Sequence, residues 1–177
     1  MKYCAGILFF CLILVSCDRS AYEEIIFSGD VETRKHISEN IFYGINPDIN
    51  YYINNSEYYV DESFREAIPE LGIQHYFTAY KDGIIIEFAN NIIEAVYIYK
   101  NTNEHILGKY IGKNIDEIKN ILGKADWNYR NLYLYFNINE NDDYIKIVAY
   151  TDGEIYRIEI GADNKFMKAM YGINVDE

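Results

Sequence analysis

Six short apolar runs, in two sets of three, dominate the sequence after residue 74. They cover residues 75–80, 84–88 and 92–99, and then residues 132–138, 144–150 and 155–160. Turn-forming residues separate the runs, and the pairs Asp82-Gly83 and Asn90-Asn91 tolerate the positive φ angles of tight hairpin turns. Each set is therefore predicted to form a three-stranded antiparallel meander.

An amphipathic helix is predicted before the second set of runs, over residues 115–122. Asn114 is a suitable N-cap, and Glu117 stands three residues later, which is the spacing of a capping box. Gly123 follows the helix and favours its termination, because glycine adopts a left-handed conformation without steric strain. The apolar positions that recur at the spacing of one helix face, and are expected to be buried against the sheet, are Ile115, Ile118 and Leu122.

A similar helix is predicted before the first set of runs. Ser63 and Glu66 have the capping-box spacing, and Gly72 follows as a stop signal. The apolar positions that would share one face of this helix are Phe64, Ala67 and Leu71. The predicted fold class is α+β, a tandem of helix plus three-stranded antiparallel meander units, with the helices packed on one sheet face. The units are predicted at residues 25–100 and 101–177.

The beginning of the chain is predicted to be a targeting segment. One lysine precedes an apolar run over residues 5–15, which is too short to span a bilayer and has the size of a signal-peptide core. The run leads into the letters LVSC, which resemble a bacterial lipobox. This resemblance implies a signal peptide at 1–16, a tether at 17–24 and a lipid bilayer as partner through acylated Cys17. An ordinary secretory signal with an incidental cysteine is the alternative.

Composition and charge argue against several functions. The formal net charge of the 177 residues is −12, and the Lys and Arg residues form no stripe that could contact phosphates. Nucleic acid is therefore not an expected partner. The three histidines are far apart in sequence, and the two cysteines besides Cys17 leave with the predicted signal. No catalytic residue, cofactor or metal site is expected, and the protein is predicted not to be an enzyme.

The second set of runs also predicts a candidate partner surface. The alternating apolar residues expected to form the core under the helix are Leu132, Leu134, Phe136, Ile138, Ile145, Ile147, Ile158 and Ile160. The side chains expected on the opposite face, with Trp127 at its edge, are Tyr133, Tyr135, Lys146, Tyr150 and Arg157. Tyrosine offers a large contact area at low entropic cost, which suits an interface. Packing of the other unit against this face is one alternative, and an AT-rich genome that enriches the chain in Tyr, Ile and Asn is the other.

The residues around the second predicted helix that have a recognisable spacing are Gly112, Asn114, Ile118, Leu122 and Gly123. This spacing resembles the helix motif of small envelope lipoproteins of the SmpA/OmlA (BamE-like) type, and the β-lactamase inhibitor proteins share a similar helix-plus-sheet unit. The family usually has proline where this chain has Ala125. The resemblance implies a membrane-anchored lipoprotein of the bacterial cell envelope that acts as a non-catalytic protein-binding or assembly module on an envelope protein. An inhibitor or immunity-type protein that blocks an enzyme is the alternative, and an uncharacterised envelope enzyme is the third.

Overall fold

A computed structural model describes residues 32–65, 73–136, 138 and 141–173. The eight strands of these residues form one antiparallel sheet. The strands are β1 (Tyr59–Arg65), β2 (Gln74–Lys81), β3 (Ile84–Ala89), β4 (Ile92–Ile98), β5 (Trp127–Tyr129), β6 (Leu132–Phe136), β7 (Tyr144–Ala149) and β8 (Ile155–Gly161). Their order across the sheet is β1-β2-β3-β4-β8-β7-β6-β5. The α-helices of the described residues are α1 (residues 32–39), α2 (Ile49–Ile53), α3 (Ile115–Leu122) and α4 (Asn164–Met170), and a short 3-10 helix covers Gly108–Tyr110.

The sheet corrects the predicted fold class. Tandem units of one helix and three strands are wrong, because each half supplies four consecutive strands and β4 pairs with β8 to join the halves into one sheet. The six apolar runs do form strands, namely β2 to β4 and β6 to β8. Asn90 and Asn91 connect β3 to β4 with φ angles of 50° and 67°, as a tight hairpin turn requires.

The helix predicted from Ser63 is wrong over its described residues. Ser63 and Phe64 belong to β1, where they lie opposite Tyr76 and His75 of β2. The remainder of that prediction, residues 66–72, lies outside the described part of the chain. An N-cap contributes about 1 kcal/mol, whereas β1 forms seven cross-strand pairs with β2, so the strand pairing outweighs the local helix signal.

One face of the sheet, named the helix face, packs against α1, α2 and α3. Its core joins apolar side chains of both halves of the sheet with residues of all three helices. From α3 it receives Ile115, Ile118 and Ile121, each at most 4% exposed. The buried residues of this short helix recur every three positions, so Leu122 lies beside the buried stripe and is only half-buried. The predicted burial of Leu122 is therefore confirmed only in part. Asn114 caps the helix as predicted and accepts the Asp116 N–H at 3.0 Å.

The two faces of β6 are the reverse of those predicted. Tyr133 and Tyr135 lie opposite buried isoleucines of β7, so both tyrosines belong to the helix face. Leu134 and Phe136 lie on the other face, named the reverse face, where they pack with Met167 of α4. Helices therefore cover parts of both faces, and the prediction that they pack on one face is wrong. In β6 the leucines and Phe136 alternate with two tyrosines, and both sets are largely apolar. The alternation alone could therefore not show which set lies on the helix face.

Candidate protein-binding face

A row of side chains crosses the whole sheet on the reverse face. Each member lies directly opposite the next in the pairing register, so all of them share this face. In strand order from β1 to β5, the row is Tyr59, Tyr80, Ile85, Tyr97, Glu159, Lys146, Leu134 and Trp127. Because neighbouring strands are about 4.8 Å apart, the row is about 34 Å long.

The row has a covered end and an open end. At the covered end, Leu134 is fully buried in the cluster with α4, and Trp127 packs against Tyr171 with ring centroids 5.2 Å apart. At the open end, the side chains belong to neither apolar cluster of the described residues, and Tyr59 is 71% exposed. The residues of this open patch are Tyr59, Tyr80, Ile85 and Tyr97.

A cleft lies between the open patch and α4. In its floor, the next row of the reverse face places Ala95 opposite Gly161. Ala95 lines the cleft with a small side chain, and the Tyr144 ring lies over Gly161. Phe166, Met167 and Met170 of α4 form one wall. The cleft encloses about 470 Å³, which lies within the range of ligand pockets, roughly 300–1,000 Å³.

A buried ion pair lies beside the cleft floor. Lys146 and Glu159 are 8% and 6% exposed, and their Nζ and Oε2 atoms are 2.9 Å apart. The Tyr144 hydroxyl donates to Oε1 of Glu159 at 2.9 Å, so two donors converge on one carboxylate. Burial raises the pKa of Tyr144 well above its usual range, and the charge of Glu159 raises it further. Gly161 permits this arrangement, because an added Cβ would overlap the Tyr144 ring.

Two more carboxylates come from the β3–β4 hairpin. The Tyr97 hydroxyl donates to Oε2 of Glu87 at 3.2 Å. Burial raises the pKa of Tyr97, and the nearby charge of Glu87 adds to the effect. The pairing register between β3 and β4 shifts after Glu87, which leaves Glu94 as the extra residue of a β-bulge. A bulge redirects side chains, and Glu94 lines the cleft together with Glu87.

The charges around the cleft are mostly negative. The lining carboxylates are Glu87, Glu94, Glu159 and Asp163, and the lining also contains the ammonium group of Lys146. Asp163 is the N-cap of α4, where its carboxylate accepts the N–H groups of Lys165 and Phe166. Tyr97 adds an aromatic ring on the strand side, opposite the α4 wall with Phe166. The cleft therefore combines a small floor residue, Ala95, with acidic groups and aromatic rings.

The structure does not bring the predicted partner residues together on one surface. Tyr133 and Tyr135 lie on the helix face, and Tyr135 is only 2% exposed. Lys146 and Arg157 are on the reverse face, because Lys146 lies opposite Glu159 and Arg157 lies opposite Val148, two positions further along β7. The prediction of one shared surface is wrong because the tyrosines of β6 lie on the helix face and Leu134 lies on the reverse face, whereas the opposite arrangement was expected.

Three other predicted residues lie elsewhere. Trp127 is on the reverse face, at the covered end of the long row. Tyr150 is 55% exposed just after β7, and its ring packs on Tyr156 with centroids 4.6 Å apart. Cys17, the predicted lipid attachment site, lies outside the described residues.

Sequence reasoning missed the open patch, although β2 contains a signal for it. In the sequence of this strand, Phe77 and Ala79 alternate with the more polar Thr78 and Tyr80, which is typical of a strand with one covered face. The structure buries the first pair and leaves the second pair half-buried. Tyr59 was missed for a different reason, because the helix predicted from Ser63 overlaps the end of β1 and no strand was predicted there.

Comparison with protein-family models, curated proteins and solved structures found no match to this chain. Within the described residues, no helix combines the length and apolar character needed to cross a membrane. No three His, Cys, Asp or Glu side chains of the same residues are grouped so that they could hold a metal ion.

Proposed function

We propose that this protein is a membrane-anchored cell-envelope lipoprotein that binds a partner protein, without catalysis, through the open patch and the cleft. The observation that carries the proposal is the tyrosine-rich part of the reverse face, which belongs to neither apolar cluster of the described residues. Aromatic side chains are enriched at protein interfaces, where tyrosine supplies both contact area and a hydrogen-bonding hydroxyl.

The support beneath the patch favours binding. The strands that carry it are packed on the helix face through fully buried side chains such as Ile86, Phe88 and Val96. All of these strands except β1 have hydrogen-bonded neighbours on both sides. A surface held in this way loses little conformational entropy when a partner binds, which leaves more of the contact energy for affinity.

The proposed anchor rests on the apolar run and the letters LVSC that end at Cys17. Acylation by two or more chains would hold the protein stably on a bilayer. Labelled palmitate should enter the wild-type chain and should not enter Cys17→Ala. Equal incorporation into both forms would rule out Cys17 as the lipid attachment site.

Partner capture tests the binding function. The full chain and its Tyr59→Ala and Tyr80→Ala variants would be used to capture the partner from detergent-solubilised membranes, with melting measured on the same samples. Truncation of an interface anchor lowers the binding free energy by about 2 kcal/mol or more. Each variant should therefore capture at least tenfold less partner than the wild type, with an unchanged melting temperature.

Tyr129→Ala is the matched control, because Tyr129 is 60% exposed on β5, at the other edge of the sheet. This variant should retain the partner. Full retention by Tyr59→Ala and Tyr80→Ala would contradict the proposed role of the open patch. The captured protein also distinguishes an assembly partner from an enzyme that the protein inhibits.

A further inference from the structure

We propose that the cleft receives an arginine side chain of the partner protein. The inference rests on the proposed binding function and adds the chemistry that the partner must present. It depends on three properties of the cleft, namely its depth, its negative charge and the aromatic rings that line it.

The depth of the cleft suits a long side chain that enters between the strands and α4. Ala95 contributes only a methyl group to the floor, and the volume of about 470 Å³ also leaves room for peptide groups beside the entering side chain. Phe166 and Met170 of α4 line the cleft and are 59% and 55% exposed. These two apolar side chains are available to pack against the aliphatic part of an arginine.

The charge of the cleft favours a cation over an anion. Lys146 is already paired with Glu159 at 2.9 Å, and the carboxylate of Asp163 caps α4. Glu87 and Glu94 add two carboxylates from the β3–β4 side, so the acids that line the cleft outnumber the single ammonium group. The formal net charge of −12 would also draw a basic partner surface toward the protein.

Arginine fits these groups better than lysine. Its planar guanidinium can bind a carboxylate through two parallel N–H···O bonds, and it stacks on aromatic rings. Glu87 and Glu94 offer carboxylates, and Tyr97 and Phe166 offer rings on the two sides of the cleft. A compact ammonium group would use the charge but would gain less from the rings.

Two methionines provide a selective probe of this cleft. The chain contains three methionines, and Met167 and Met170 both line the cleft, whereas Met1 lies in the predicted signal peptide. The full chain in detergent micelles, labelled with ¹³C at its methionine methyl groups, would be titrated with acetyl-Gly-Arg-Gly-amide. The citrulline peptide, which has nearly the same shape without the charge, is the matched control ligand. The arginine peptide should shift both methyl signals saturably and bind at least tenfold more tightly than the citrulline peptide.

Isosteric variants locate the charge that is responsible. Glu87→Gln retains an acceptor for the Tyr97 hydroxyl and removes only the charge. Glu94→Gln removes the charge of the residue at the bulge and keeps nearly the same shape. Each should weaken arginine-peptide binding at least threefold. Glu154→Gln, at an exposed position directly before β8, should leave the binding unchanged. Equal affinity for the two peptides, or unchanged arginine binding in both cleft variants, would overturn the inference. Tighter binding of spermidine than of the arginine peptide would also overturn it, in favour of a site for small amines.

These outcomes separate the inference from the proposed function. If the cleft does not prefer the arginine peptide while partner capture still depends on Tyr59 and Tyr80, the arginine site is overturned and the proposed binding function stands. Selective binding of the arginine peptide, without such dependence of capture on the two tyrosines, would contradict the role of the open patch and support the chemistry assigned to the cleft.

Discussion

His105 is the residue whose burial has the clearest consequence for stability. It is 1% exposed, with Nε2 2.9 Å from the carbonyl oxygen of Ile41, and its Nδ1 accepts the N–H of Leu107 at 3.1 Å. A neutral ring with its proton on Nε2 satisfies both hydrogen bonds. Burial lowers the pKa of His105 to about 4, whereas a histidine in the unfolded chain has a pKa of about 6.5.

Acid should therefore destabilise the fold through His105. Between about pH 6.5 and about pH 4 the unfolded chain binds more protons at this residue, so the free energy of unfolding falls as the pH falls. The expected contribution is about 2 kcal/mol between about pH 7 and about pH 4.5. His105→Gln keeps a donor for the Ile41 carbonyl and cannot titrate, so urea unfolding should show a weaker pH dependence. The same pH dependence in both proteins would contradict this role.

At the scale of single elements, α3 offers a matched pair of apolar side chains. Ile121 is 1% exposed at the core, whereas its neighbour Leu122 is half-buried. Ile121→Ala should lower the free energy of unfolding by about 2–5 kcal/mol, as other large-to-small core changes do. Leu122→Ala should have a clearly smaller effect, because it removes less buried area. Denaturant unfolding of both variants measures the difference, and the opposite order would mean that the helix is rotated about its axis.

Strands were predictable from the sequence where alternation and turn chemistry agree. Asn90 and Asn91 mark the turn between β3 and β4, and the runs on both sides of it are apolar. β1 was missed because Ser63 and Glu66 have the spacing of a capping box, while the strand that pairs with β1 is known only from the structure. The faces of β6 could not be assigned, since leucine and tyrosine can both be buried and only the register with β7 distinguishes them.

At the scale of the whole molecule, the pairing of β4 with β8 creates both the sheet and the cleft. Val96 lies opposite Ile160 there, so the core of the helix face continues from one half of the sheet to the other. The floor of the cleft lies on the same two strands, where Ala95 of β4 and Glu159 of β8 line it. This pairing joins segments that are distant in the sequence, and no local pattern indicates it. The candidate site therefore could not be predicted, although most of its strands could.

The location of the partner on the sheet is the most direct test of binding through the reverse face. Tyr80 and Tyr133 are both half-buried, but Tyr80 belongs to the open patch and Tyr133 to the helix face, with Lys119 over its ring. A photo-crosslinking phenylalanine analogue would replace one or the other tyrosine in the full chain, and crosslinked partner would be measured after illumination of the membranes. Crosslinking from position 80 and none from position 133 is the expected result, whereas crosslinking from position 133 alone would contradict binding over the open patch.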